Sequence, residues 1–259
     1  MALLPDKGKM VYTEQNVDIP GLTRPSSAYD LGLYHELGGA GRGVLEVTVI
    51  CSFSFDDGKA STGGAALTWT AADKTKFMDD FKDVCSKAWG EQYRIKTACT
   101  SLPFNDVGVI VTIVAKEGMG KTEHSHWNLT VKKVDAFKGS STSDPILGGM
   151  FNGKMETTSR SLLPTDKGGP KLQRPVVHEF GHMLGYLDEY LNAEGKPEAL
   201  EDWTTDLESV MNRGETIRDR HYVFFAYWLT NQYTVLASLK KEKIDWKVNG
   251  TLDRTHAKV

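Results

Sequence analysis

The chain has 259 residues, of which 40% are hydrophobic and 25% charged, as in ordinary globular proteins. Its 31 basic and 34 acidic side chains give a net charge of −3, which argues against a nucleic-acid partner held by bulk electrostatics. No run of apolar residues is long enough to span a bilayer, and the three cysteines are too few for a disulfide framework.

Residues 1–43 are rich in glycine, proline and polar residues and show no sustained period, so we expect an N-terminal arm that packs loosely or not at all. The arm is a candidate latency segment, in which Asp18, Asp30 or His35 could reach a metal. Residues 1–18 lack the basic start and apolar stretch of a signal peptide. We therefore expect a cytoplasmic protein, or one exported by a route that needs no cleaved signal.

A single α/β (α+β) domain is expected over residues 44–259. Alternating apolar residues predict a strand over residues 44–55, and Thr70 with Asp73 predicts a capped helix that runs to Trp89. Further strands are predicted near residues 93–95, 107–114 and 127–131. This order of elements is typical of a sheet with helices packed on it.

Residues 136–175 are rich in Gly, Ser, Thr and Pro, and we expect them to be loop-like with an edge strand near residues 150–158. Such a stretch is either a mobile surface loop or a segment that lines a substrate site. The sequence leaves both interpretations open.

The stretch from residue 178 to 190 reads His-Glu-Phe-Gly-His-Met-Leu-Gly-Tyr-Leu-Asp-Glu-Tyr and contains the pattern H-E-x-x-H. Pro175 suits the first turn of a helix, so His178 and His182 would stand one turn apart on the same face. Two imidazoles at that spacing can bind one zinc ion. Glu179 between them can take a proton from a metal-bound water.

Placed at 100° per residue, the apolar residues of this helix gather opposite the histidines. The predicted apolar side consists of Val176, Phe180, Met183, Leu184 and Leu187. A core histidine would lie within that stripe, whereas His178 and His182 lie outside it. The projection therefore predicts that both histidines face a cleft.

Gly185 is expected to end the helix, because glycine adopts the left-handed conformation there without a steric penalty. The chain can then turn and bring Asp188 to the metal as a third ligand, although the neighbouring Glu189 could compete. Three protein ligands leave the fourth position open for water, which is typical of catalytic zinc sites.

The extended pattern H-E-x-x-H-x-x-G-x-x-D resembles the zinc motif of the metzincin metallopeptidases, in the snapalysin-like variant that has aspartate as the third ligand. Residues 209–212, Ser-Val-Met-Asn, resemble the family's methionine-containing turn, which implies that Met211 packs beneath the ligand histidines. The resemblance implies a mixed twisted sheet, an active-site helix and a C-terminal helical subdomain over residues 44–259. No tyrosine lies two residues after Met211, so the tyrosine ligand of some members is absent there.

On this resemblance we expect a zinc endopeptidase that acts on a protein or peptide, with Glu179 as general base and later proton donor. A peptidase without a leader suggests a toxin or effector exported by dedicated delivery machinery. One alternative is a non-catalytic zinc-binding module on a protease scaffold. Another is a gluzincin, whose third ligand would be a later glutamate such as Glu198 or Glu201.

Other residues have both a functional and a structural interpretation. Tyr186 and Tyr190 are candidate donors to an oxyanion, or packing tyrosines. His221 could line the cleft or make a structural hydrogen bond, and His124 with His126 could form a second metal site or lie on a solvent-facing strand.

Overall fold

The computed structural model describes residues 7–19, 27–60, 62–90, 92–99, 103–118, 124–133, 141–144, 148–152, 161–163, 171–191, 201–240 and 246–248. The α-helices are α1 (Ala71–Trp89), α2 (Pro175–Met183) and α3 (Val223–Lys240), with short 3-10 helices at Glu201–Thr205 and Asp219–Tyr222. The strands are β1 (Lys7–Val17), β2 (Tyr29–Glu36), β3 (Arg42–Asp56), β4 (Gly58–Lys59), β5 (Ala66–Leu67), β6 (Arg94–Thr97), β7 (Asp106–Glu117), β8 (Trp127–Lys132), β9 (Ser141–Asp144), β10 (Gly148–Asn152), β11 (Ser161–Leu163), β12 (Lys171–Gln173) and β13 (Trp246–Val248). The described residues therefore form a mixed α/β fold, as the order of the predicted elements indicated.

Strand β3 is the centre of the main sheet. Its predicted apolar positions from Leu45 to Phe53 are fully buried. It pairs in parallel with β7 along one side. Along its other side it pairs first with β2, antiparallel, and then with β8, parallel. A strand with partners on both sides and a covered face needs the continuous apolar content seen here.

Within the described residues the main sheet has nine strands and is mixed. Its principal order is β13-β6-β7-β3-β8-β10-β9, and β2 and β1 extend it beside the first half of β3. The outer pairs β13–β6, β6–β7 and β10–β9 are antiparallel. Separate two-stranded pairs are formed by β4 with β5 and by β11 with β12.

The N-terminal segment differs from the loosely packed arm that we expected for residues 1–43. Tyr29, Leu31 and Leu33 of β2 are buried in the core, and β1 pairs with β2 along its length. Ala28 accepts a hydrogen bond from Nε1 of Trp127 on β8, which ties the segment to the sheet. The apolar alternation in β2 is short, with Gly32 between Leu31 and Leu33, and glycine and polar residues surround it. The sequence of this segment therefore did not indicate a strand.

Helix α1 begins with the predicted capping box. The Thr70 hydroxyl accepts from the Asp73 N–H, and the Asp73 carboxylate accepts from the Thr70 N–H, so two N-terminal donors are satisfied. The buried face of α1 consists of Phe77, Phe81, Val84, Cys85 and Trp89. Phe77 and Phe81 pack edge-on against Phe53 of β3, and each such side chain stabilises the fold by roughly 1.5–3 kcal/mol through burial.

The stretch between β8 and α2 contains more regular structure than the loop we expected. It holds β9, β10, β11 and β12, and β10 pairs in parallel with β8. The predicted edge strand overlaps β10 at residues 150–152, while residues 153–158 lie outside the described residues. Strand β9 lies beyond β10 and ends this side of the sheet order.

Helix α3 follows the second 3-10 helix, in the part of the chain where the resemblance implied a C-terminal helical subdomain. Tyr222, Phe225, Ala226 and Leu229 are buried, and Phe225 packs edge-on against Tyr29 of β2. Among the described helices, none is both long and apolar enough to cross a membrane.

Candidate metal centre

Helix α2 carries the histidine motif and has Pro175 in its first turn, as predicted. Val176, Phe180 and Met183 are fully buried, and Phe180 packs edge-on against Phe81 of α1. Leu187 was wrongly assigned to this apolar face, since it is 58% exposed. The helix ends at Met183, so a helical projection does not apply four residues later.

Gly185 turns the chain after α2. Its φ of +102° lies in the region that favours glycine, and its N–H donates to the His182 carbonyl. A Cβ at this position would come within 2.7 Å of Cγ2 of Ile19, so the N-terminal segment also packs against the turn. The prediction that Gly185 ends the helix and redirects the chain is confirmed.

Three side chains of the motif meet where the chain returns. Oδ1 of Asp188 lies 3.0 Å from Nε2 of His178 and 3.3 Å from Nε2 of His182. One donor atom from each residue lies within 4.8 Å of the others, a separation that a single metal ion can bridge. This is the only such group of three among the described residues, and it could hold a metal ion.

The hydrogen bonds behind the histidines decide which ring nitrogen faces the group. Nδ1 of His178 lies 2.7 Å from the carbonyl oxygen of Val210, and Nδ1 of His182 lies 2.7 Å from that of Tyr186. A carbonyl oxygen only accepts, so each Nδ1 carries a proton and, in the neutral ring, each Nε2 presents a lone pair. Metal-ligating histidines are typically fixed in this way by a backbone carbonyl.

The third donor fits a cation as well. Among the described residues Oδ1 of Asp188 is buried and accepts no well-aligned hydrogen bond, although both Nε2 atoms are near. Burial opposes ionisation of Asp188, but the two histidines hold its pKa well below its usual range. Two lone pairs and an ionised carboxylate oxygen that converge in this way repel one another unless a proton or a metal ion lies between them.

Glu179 and Tyr190 flank the three donors. Glu179 is 6% exposed. Burial lowers the pKa of His182, yet Asp188 and, to a smaller extent, the negative charge of Glu179 raise it above its usual value. The ring of Tyr190 lies nearly parallel to that of His178, with centroids 6.2 Å apart.

Met211 lies beneath the helix, as predicted for the methionine turn, residues 209–212. It is fully buried, and a Cβ on Gly181 would collide with its Sδ and come within 2.7 Å of the Trp89 ring. The turn is braced by Gln173, whose Nε2 donates to the carbonyls of Val210, Asn212 and Gly214. Met211 thus packs against α2 at Gly181, which lies between the two histidines in the sequence.

The side chains of Tyr186 and His221 make structural contacts and do not face the three donors. The buried Tyr186 hydroxyl donates to the His221 carbonyl, and its ring stacks on Trp89, so it is not positioned to bind an oxyanion. His221 accepts from the Arg218 N–H at Nδ1 and therefore donates from Nε2 to Oε1 of Glu189, 3.1 Å away. Burial lowers the pKa of His221, which keeps the ring neutral.

The alternative ligands divide into three cases. Glu189 turns away from the histidines and forms an ion pair with Arg220, and these contacts lower its pKa to about 2 although burial opposes this. Glu198 lies outside the described residues, and the side chain of Glu201 is likewise not described. Among the described carboxylates Asp188 is therefore the one that meets the histidines.

The other metal candidates have structural partners. His126 accepts from the Ile50 N–H at Nδ1, and its Nε2 lies 3.1 Å from Oδ1 of Asp30, so both ring nitrogens are engaged. Asp18 accepts from the Ser27 N–H, and His35 packs edge-on against Phe104. The prediction of a second metal site at His124 and His126 gains no support from these contacts.

The sequence did not reveal the groups that hold the three candidate donors in place. The carbonyls of Val210 and Tyr186 are backbone atoms, and no residue type marks them in a sequence. Gln173, Trp89 and Arg220 act across long sequence separations, which a local pattern does not reveal.

Comparisons of the chain with protein-family models, curated proteins and solved structures gave no match.

Proposed function

We propose that the protein is a zinc-dependent endopeptidase of metzincin type, in which His178, His182 and Asp188 bind the metal. The observation that carries this proposal is the convergence of two Nε2 atoms and one carboxylate oxygen, with both Nδ1 atoms bonded to carbonyls. Nitrogen and oxygen donors in this number suit zinc, and three protein ligands are the catalytic pattern.

Zinc held by these residues would supply a Lewis acid that polarises a peptide carbonyl and lowers the pKa of water to about 7. Glu179 follows the first ligand in sequence and lies near His182, so its carboxylate can accept the proton of the attacking water. The same carboxylate can then return the proton to the leaving amine. The hydroxyl of Tyr190, whose ring lies beside that of His178, could donate a hydrogen bond to the oxyanion.

Several features favour this family over the alternatives. A non-catalytic zinc module has no use for a buried glutamate beside the ligands, which argues for catalysis. Gly185 turns the chain, Asp188 meets the histidines and Met211 packs against Gly181, and these positions support the metzincin pattern. A gluzincin would instead draw its third ligand from a later glutamate. A mixed sheet, helix α2 and the C-terminal helix α3 are compatible with a metzincin-like fold.

We further propose a protein or peptide as the substrate, because the family hydrolyses peptide bonds. Release by dedicated delivery machinery, as a toxin or effector, stays a prediction from the sequence.

Metal analysis and a peptidase assay on the wild type and Glu179→Gln test the proposal. Glu46→Gln is a matched control, because Glu46 is 7% exposed, compared with 6% for Glu179, but lies on β3, bonded to Lys7 and Thr112. We expect about one zinc in all three proteins and a loss of activity on the order of 100-fold or more in Glu179→Gln alone. Absence of zinc from the wild type, stoichiometric iron in its place, or full activity of Glu179→Gln would overturn the proposal.

A further inference from the structure

Asp188 and Glu189 are adjacent carboxylates with opposite orientations. Asp188 meets the histidines, whereas Glu189 points into the interior and is only 2% exposed. Every polar group of Glu189 has a partner. Its N–H donates to the Met211 carbonyl at 2.8 Å, and its carbonyl accepts from Nδ2 of Asn212 at 2.7 Å. The residue after the third donor is therefore tied to the methionine turn by its backbone.

The Glu189 carboxylate is held by the segment that precedes α3. Nε of Arg220 lies 2.7 Å from Oε1, and the guanidinium NH2 lies 2.6 Å from Oε2, which is a two-point ion pair. His221 adds a third bond to Oε1. Arg220 is itself fixed by Asp206, 2.7 Å away, and by the Trp203 ring beneath it. The buried charges of Glu189 and Arg220 thus compensate one another.

The cluster of Glu189, Arg220 and His221 is linked to two of the three donors, Asp188 and His182. Glu189 is one peptide bond from Asp188. His221 accepts at its carbonyl from the Tyr186 hydroxyl, and the carbonyl of Tyr186 fixes Nδ1 of His182. A change in the cluster would therefore move the peptide that carries Asp188 and the loop that orients His182.

We propose that Glu189 is a positioning residue, whose pairing with Arg220 and His221 keeps its own carboxylate away from the metal and aims Asp188 at the histidines. This inference rests on the metal-binding part of the proposed function and not on peptide hydrolysis. Asp188 would then bind the metal, and Glu189 would fix the backbone through its contacts in the protein interior. Groups behind metal ligands typically contribute 10–100-fold to metal affinity.

The test measures metal binding alone, by competition with a chelator for Zn²⁺ and by the visible absorption spectrum of the Co²⁺-loaded protein. In Glu189→Gln an amide NH2 replaces one carboxylate oxygen opposite the guanidinium and disrupts the two-point pair. We expect roughly 10–100-fold weaker Zn²⁺ binding and an altered Co²⁺ spectrum. Glu46→Gln, a buried glutamate on β3, should match the wild type in both measurements.

Three outcomes separate this proposal from failure of the proposed function. If Glu189→Gln has the Zn²⁺ affinity and the Co²⁺ spectrum of the wild type, the positioning role is wrong, but the proposed metal site is unaffected. Retention of metal by Asp188→Ala, with loss in Glu189→Ala, makes Glu189 the ligand and also overturns it. Retention of metal by His178→Ala overturns the proposed site itself. If Glu189→Gln does not fold, Arg220→Lys keeps the charge but removes the two-point pair, and the same loss of affinity is expected.

Discussion

The chain contains two pairs of neighbouring histidines, and their hydrogen bonds make them chemically different. The rings of His178 and His182 lie 4.9 Å apart on α2, and those of His124 and His126 lie 5.0 Å apart before β8. In the helical pair each Nδ1 donates backward to a carbonyl, which frees both Nε2 atoms. In the other pair both nitrogens of His126 are bonded, to Ile50 and Asp30.

Proximity of two imidazoles alone does not make a metal site. What matters is where the second nitrogen of each ring is bonded, because that bond sets the tautomer and the direction of the free lone pair. The helical pair also has the ionised carboxylate of Asp188 in front of it, whereas Asp30 accepts a hydrogen bond from Nε2 of His126.

The largest expected effect is on metal content. His178→Ala removes one of the three proposed ligands and should lower Zn²⁺ affinity by more than about 100-fold, above the range for groups behind metal ligands. His124→Ala, the matched change in the other pair, should leave the metal content unchanged because His124 is exposed. Elemental analysis of both variants after dialysis measures this, and equal metal loss in the two would contradict the comparison.

The convergence of His178, His182 and Asp188 could be predicted from the sequence because the spacing of these residues is local. An i, i+4 pair on a helix and a glycine that ends it bring Asp188 back over a few residues, so local geometry suffices. Strand β3 and helix α1 were predicted for the same reason, by their periods and by the Thr70 cap. Each of these features is contained within one element and its immediate neighbours.

The features that were missed depend on contacts between distant segments. Strand β2 is recognisable by its burial against β3, and the exposure of Leu187 follows from the turn at Gly185. The roles of Tyr186, Glu189 and His221 depend on one buried cluster around Arg220. No pattern within a window of residues contains that information, so the sequence left these side chains with alternative interpretations.

The second expected effect concerns the glycine between the helical ligands. Gly181→Ala adds a methyl group where Met211 and Trp89 already pack, so we expect a loss of about 1–3 kcal/mol in the free energy of unfolding. Chemical denaturation of the metal-free protein measures this loss. An unchanged free energy would show that Met211 does not pack tightly beneath the ligand pair.

The third effect is a loss of stability without a loss of metal. His126→Leu leaves the Ile50 N–H without its partner and removes one of the hydrogen bonds to Oδ1 of Asp30, which also accepts from the Asn16 N–H. We expect a cost of about 1–3 kcal/mol at pH 8. Its metal content should equal that of the wild type. A fall in metal content at unchanged stability would mean that His126 does bind a metal, and the two histidine pairs would then not differ as argued.

The smallest effect is a pH dependence that belongs to the structural pair. Burial lowers the pKa of His126, and His124 lowers it further, while Asp30 only partly offsets both. Because the unfolded histidine has a pKa of about 6.5, the unfolded state binds the proton more readily, and the stability provided by neutral His126 is lost as pH falls below about 6.5. The difference in unfolding free energy between wild type and His126→Leu should therefore be largest near pH 8 and shrink toward pH 5. A difference that instead grows as the pH falls would mean that Asp30 stabilises a charged His126, whose Nδ1 could then no longer accept from Ile50.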